Sequence, residues 1–588
     1  MFYLLTAAIL IIIFLIFPKE DKRQNFLVWL PITIISYEVL CCFTTGIMTI
    51  LHINANIYTV AVCNILLSFV LLGNIIKKKN IQKYYVKTED IIFIAAYSGI
   101  VLFIWLKRYT PDLLLRFETS DPGTHLKIAM DFINNQEVDG MYTGQVTNGL
   151  FIQSLLKFNY GTSIYKSFLL KYGINFLLSG WIFYAAMIKY ANKIFEKVLI
   201  YCVTILYILG YPYSDMIFGF VYLQLTITIV IYLLSIVNFF VEGNENNRKI
   251  YKALLMLGCL GVGIGYTLFA PIIFFAILIC IMFCAHKEGW LLQNEKKFFS
   301  IKFIKTGLQI FLIPTLLILW FLIFAPMLND SFVNYGLALT SEGYIYRNLY
   351  SDFLLYIIIA VYGVIISLKE KENYFLSSSF ILGVCYYIIF FFRMITQKVS
   401  TYYFYKINYL LWFVILACFV IGLITIYRKE KALFKSYIIG MIILFSIYFS
   451  GFENKVQQQN INYIPFSDAG SFFHIFSVNK ILDERQSEIS QQLVEVCNEI
   501  NSLKEEDNVD FIGDWLNFFW YEALTNQRFE GWYVHESTEN KVRNFLEGNT
   551  AKYIVVLKES QEYLEYIYLF DEMKLIYENE YAFIAMSE

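Results

Sequence analysis

The stretch Glu118-Thr119-Ser120-Asp121-Pro122-Gly123-Thr124-His125 is the densest polar cluster in the apolar three-quarters of the chain. Asp121 before Pro122 fits a helix N-cap with proline at the first helical position. Capping and catalysis are compatible, because a carboxylate at the rim of a low-dielectric cavity gains the basicity that a general base needs. His125, four residues on, falls on the same side of that first turn. It could orient Asp121, bind a hydroxyl, or serve only as a hydrogen-bonded interfacial residue. One Asp and one His without further carboxylates make a weak metal site. No cofactor is predicted, and a divalent cation stays an open alternative.

Other polar residues stand where apolar ones are expected. Asp215, in the short segment Tyr213-Ser214-Asp215-Met216, is read either as a helix cap or as a second acid facing the same cavity as Asp121. Arg116, Lys166, Lys171, Arg347, Arg393, Lys398 and Lys406 fall near one membrane face that should be poor in cations. Ionisable groups at span ends either snorkel or do work. The run Arg393 to Lys406 interleaves three cations with Tyr402, Tyr403, Phe404 and Tyr405. Cations suit a phosphate, and tyrosines suit a sugar face or an interfacial belt. Glu118 joins these as a candidate substrate contact.

What positions these residues is a set of membrane spans. Of 588 residues, 58% are hydrophobic and 16% charged, against about 25% charged in soluble proteins. Apolar runs of roughly 20 residues recur, each able to cross a ~30 Å hydrocarbon core, and their unbroken apolarity indicates helices rather than a barrel. About fourteen spans are predicted within residues 1–450, with 252–267 and 269–285 read as two short spans. Lys and Arg cluster in every second loop, which places those loops in the cytoplasm and the N-terminus, loop 109–163 and the tail outside a plasma membrane. Within loop 109–163, residues 122–134 read as an amphipathic helix with Leu126, Ala129, Met130 and Ile133 on one face. Residues 149–158 read as a second, and both are expected to lie in the interface. The net charge of −2 gives no reason to expect nucleic acid. P-loop, GxGxxG, HExxH and paired CxxC motifs are absent from the sequence. Nine of the ten cysteines fall in or against apolar runs, leaving Cys497 in the tail and no disulfide framework.

Residues 451–588 differ in character. A helix over roughly 470–504, a strand at 509–514, a helix at 515–525, a strand at 551–557, a helix at 561–570 and a hairpin around Glu578-Asn579-Glu580 predict a small extracytoplasmic α/β domain.

An acidic residue in a long outward loop, two interfacial helices, many spans and an outward α/β domain together resemble the GT-C glycosyltransferases. So do Tyr266-Thr267-Leu268-Phe269-Ala270-Pro271 and the Ser400–Lys406 stretch. The resemblance implies a polyprenyl-phosphate-linked sugar as donor, a glycan or lipid-linked acceptor, and Asp121 as the base of an inverting displacement. Two features depart from it: three spans precede the one leading into the loop, and no DxD motif occurs. Two other classes stay open, a flippase or transporter of lipid-linked oligosaccharide and a non-catalytic scaffold.

Overall fold

The computed structural model describes residues 2–20, 22–114, 121–133, 143–156, 164–243, 245–287, 300–324, 327, 353–369, 373–449, 490–503, 508–525, 527, 537–548, 551–570 and 573–587. The chain is a polytopic helical protein of membrane type. Among the described residues, ten helices are long and apolar enough to cross a membrane, and Phe2–Ile16 and Leu354–Ser367 are shorter apolar helices. The helices Glu245–Gly265 and Ala270–Lys287 are separate, joined through a tight turn at Thr267–Phe269. Gly258, Gly261 and Gly265 let the first of these approach Leu233, Ile229 and Thr226 of the Val221–Glu242 helix, the small-residue packing expected where apolar burial cannot drive association.

Burial sorts the helices into centre and periphery. The Thr401–Lys429 helix buries 94% of its apolar window and the Tyr222–Glu242 segment 89%, whereas Ile57–Lys78 and Ile301–Leu319 bury only 28%. A helix that is hydrophobic all round belongs in the middle of a bundle. Two central helices therefore carry Tyr402, Lys406 and Tyr222 near their N-terminal ends.

The two helices of loop 109–163 pack against the bundle. Asp121–Ile133 buries Leu126, Ala129 and Met130, the face that the periodicity predicts. Thr143–Leu156 starts earlier than expected, and residues 145–150 are all buried. It is wedged among the helices Phe26–Ile50, Ile164–Met187 and Val221–Glu242. Gln145, Thr147, Asn148 and Ser154 are buried there. Pro122 packs on Gly219, which ends the Tyr211–Phe218 helix at φ +74°; an added Cβ there would collide with the Pro122 ring. Only glycine meets both demands.

In the tail a four-stranded sheet runs Val509–Ile512, Tyr553–Leu557, Ala582–Met586, Lys574–Glu578; the first pair is parallel and the others antiparallel. Alternate residues serve two faces. Phe511, Val555 and Ile584 join the core that also holds Leu493, Cys497 and Trp520, while Ile512, Ile554 and Val556 pack with Val542, Phe545 and Phe570. The Gln491–Ser502 helix is the described part of the predicted 470–504 helix; the proposed boundary at 451 lies outside the described residues.

Candidate active site

Asp121 opens its helix half-buried, and its Oδ2 accepts a hydrogen bond from Tyr402 Oη at 3.1 Å. Tyr402 stands in the first turn of the Thr401–Lys429 helix, which Ser400 caps by accepting from the Tyr403 amide. Lys406 lies one turn further, on the same face as Tyr402. Its buried ammonium sits 3.9 Å from the Tyr402 ring centroid and donates to Tyr222 Oη at 2.5 Å. The rings of Phe220, Tyr222, Tyr266 and Tyr403 lie 4.7, 5.1, 5.6 and 5.7 Å from the same nitrogen. A cage of ring faces holds a cation where water is scarce.

His125 meets the edge of Tyr222 at 4.7 Å between centroids, and its Nδ1 lies 2.8 Å from Gln145 Nε2. Burial first, then the nearby Lys406 charge, push the His125 pKa down to about 3, so the imidazole is neutral. Gln145 Oε1 has no partner among the described residues. Turning the amide over would place that oxygen on Nδ1–H, and the ring is neutral in either assignment. The unfolded chain therefore takes up a proton near pH 6.5 that the folded protein refuses until about 3. The contribution is complete above 6.5 and is lost as pH falls through that window. His125→Gln should flatten the acid side of a plot of melting temperature against pH. An unchanged slope between pH 6.5 and 4 would show that His125 does not set it.

Asp215 is in the Tyr211–Phe218 helix rather than at its cap, and it lines a crevice too narrow to hold water with Ser179, Tyr207, Tyr211, Gln224 and Tyr409. Lys406 is close enough for its charge to act on it. Asp215 Oδ1 and both amide atoms of Gln224 have no hydrogen-bond partner among the described residues. The larger cavity, about 430 Å³, lies between the helices Phe2–Ile16, Phe26–Ile50 and Glu245–Gly265. Its lining is apolar apart from Thr33, Ser36, Tyr37 and Lys249, and it holds none of the residues that join Asp121 and Lys406.

No protein-family model matches the chain, and no curated protein is similar to it. The chemistry of the site therefore rests on its own geometry. Among the described residues, no three of His, Cys, Asp and Glu gather as metal ligands.

The structure thus brings Asp121, His125, Tyr402, Tyr403 and Lys406 together. Arg393 and Lys398 are exposed, and no contact among the described residues joins them to this group. Glu118, Arg347 and Arg116 lie outside the described residues. Lys171 is not a phosphate candidate: it is buried, ion-paired to Glu38, and donates to Asn175 Oδ1 at 3.0 Å. Removing one partner of a buried pair leaves an uncompensated charge and costs about 3–5 kcal/mol. Lys171→Met should therefore lower the melting temperature in detergent sharply, and adding Glu38→Gln should recover most of the loss. A Lys171→Met protein of normal stability with weakened anion binding would reverse this assignment.

Sequence reasoning missed Tyr222 and Gln145, which carry no local signal, and it named Tyr266 only as part of a resemblance, with no role at this site. It also missed Arg108, which is fully buried with Nε, Nη1 and Nη2 all lacking partners among the described residues. A signal existed: the pair Lys107-Arg108 closes a span whose other end follows the Lys77–Lys87 cluster, against the charge alternation.

Proposed function

We propose that the chain is a GT-C-like glycosyltransferase with about fourteen spans in a plasma membrane. On this reading its N-terminus, Asp121 and an α/β domain over 451–588 face outward. It transfers a sugar from a polyprenyl-phosphate donor to a cell-envelope glycan or lipid-linked acceptor. The single observation that supports this best is the joining of a carboxylate and a caged cation through one tyrosine, Asp121 to Tyr402 to Lys406.

The chemistry follows from the charges. Tyr402 orients the Asp121 carboxylate, which takes the proton of an acceptor hydroxyl. The hydroxyl oxygen forms a bond to the anomeric carbon as the bond from that carbon to the phosphate oxygen breaks, with inversion. The electron pair leaves with polyprenyl phosphate, whose growing negative charge meets the Lys406 ammonium in a site poor in water. His125, neutral and held by Gln145, presents Nε2 to a sugar hydroxyl. The tyrosines around Lys406 offer ring faces to the sugar.

A second reading, a transporter, is favoured by the buried polar atoms of Asp215 and Gln224 that have no partner among the described residues, since polar groups within spans mark solute pathways. Purified protein in liposomes, given radiolabelled polyprenyl-phosphate sugar and envelope glycan, separates the two. Label covalently transferred to glycan supports the transferase. Label that changes leaflet but stays on the lipid rejects it in favour of transport.

A further inference from the structure

The helix that begins with Asp121 is gripped along its flank by the C-terminal segment. Lys127 Nζ donates to both oxygens of Glu522, at 2.9 and 3.0 Å, and the Glu522 side chain is only 2% exposed. One turn earlier, Gly123 lies against the backbone of the Trp515–Leu524 helix. A Cβ at Gly123 would stand 3.3 Å from the Phe519 carbonyl carbon and from the Trp520 amide nitrogen. Phe519 and Glu522 are three apart, and Gly123 and Lys127 four apart, so each helix meets the other along one face.

The gripping helix is itself rigidly held. Asp514 caps it, with Oδ1 accepting from the Asn517 amide at 3.0 Å. Tyr521 stacks on Phe511 of the sheet at 4.6 Å between centroids, and Trp520 is fully buried. The apolar core runs without a break from Leu126 and Met130 in the bundle to Phe518, Trp520 and Val555 in the tail. Asp121 is two residues from Gly123, so a shift of this contact moves the carboxylate relative to Tyr402.

We propose that Lys127 and Glu522 are positioning residues, through which the C-terminal segment fixes Asp121 at its working distance from Tyr402 and Lys406. The role assigned to Asp121 rests on the transferase reading; the grip itself does not. A pair that acts at a distance from substrate alters how often the base is in place, and so shifts kcat more than donor KM.

The test uses the full chain in liposomes as wild type, Lys127→Glu, Glu522→Lys and the double swap. Hydrogen exchange over residues 121–133 and steady-state transfer are measured on each. Each single variant should speed exchange of that helix by about tenfold or more. Each should also lower kcat by at least about tenfold while leaving donor KM within about threefold. The double swap should restore both. Unchanged exchange in the single variants overturns the proposal, as does faster exchange with unchanged kcat, or a swap that restores neither. If the variants change exchange as expected but the wild type transfers no sugar, the transferase reading falls and takes the positioning role with it. The grip would then stand as a docking contact alone.

Discussion

Asp121→Asn is expected to lower sugar transfer by about 10²–10⁴-fold, the usual contribution of a positioned general base, while leaving the fold intact. The substitution is nearly isosteric. Its amide oxygen still accepts from Tyr402 Oη, so the hydrogen bond that seats the side chain survives. What disappears is basicity: an amide cannot take the acceptor's proton near neutral pH. Donor binding should be unaffected or slightly tighter, because one negative charge beside the donor phosphate has gone. The measurements are transfer to glycan, donor binding by the same detergent-solubilised protein, and melting temperature. Normal transfer by Asp121→Asn would exclude the mechanism whatever the other variants do. Loss of donor binding together with loss of transfer would instead give Asp121 a ground-state role.

The pairing of Asp121 with the Tyr402–Lys406 turn is partly legible in the sequence. Both stretches break a local expectation: one is a polar knot after an apolar span, the other places cations among tyrosines where the charge alternation wants none. The four-residue spacing of Tyr402 and Lys406 already puts them on one helical face. Spacing cannot say what faces that turn. Tyr222 is an ordinary tyrosine in a chain that has 46 of them, and only the packing of central helices singles it out. Lys171 shows the opposite failure. Its partner Glu38 lies 133 residues away in sequence, so a paired structural lysine and an orphan functional one read alike. The strands of the tail are easier, since Tyr553–Leu557 is buried throughout and reads as an unbroken apolar run. The Thr143–Leu156 helix is harder, because burying Gln145 and Asn148 runs against the rule that polar residues face water, by which its start is read.

Lys406→Met carries the second large effect and tests the other half of the mechanism. Methionine keeps an unbranched side chain and makes favourable contacts with aromatic rings, so the cage of Phe220, Tyr222, Tyr266, Tyr402 and Tyr403 has something to close on. The charge is removed, together with its hydrogen bond to Tyr222 Oη. If that charge meets the leaving phosphate, transfer should fall by about 10²–10³-fold, mostly in kcat, as for loss of one preorganised electrostatic group. Lys406→Arg should recover little, because a planar guanidinium is wider than the ammonium that the rings enclose. His125 supplies an independent readout of whether the charge has gone. Lys406 is one of the two causes holding its pKa at about 3, the larger being burial. Lys406→Met should therefore raise the His125 pKa without returning it to 6.5, visible as a shift in the imidazole NMR titration. A variant with the titration shift but full transfer would show that the cation is present at the site and does no work in the reaction. The phosphate would then have to be met elsewhere, and the buried guanidinium of Arg108, without a partner among the described residues, is the next group to test.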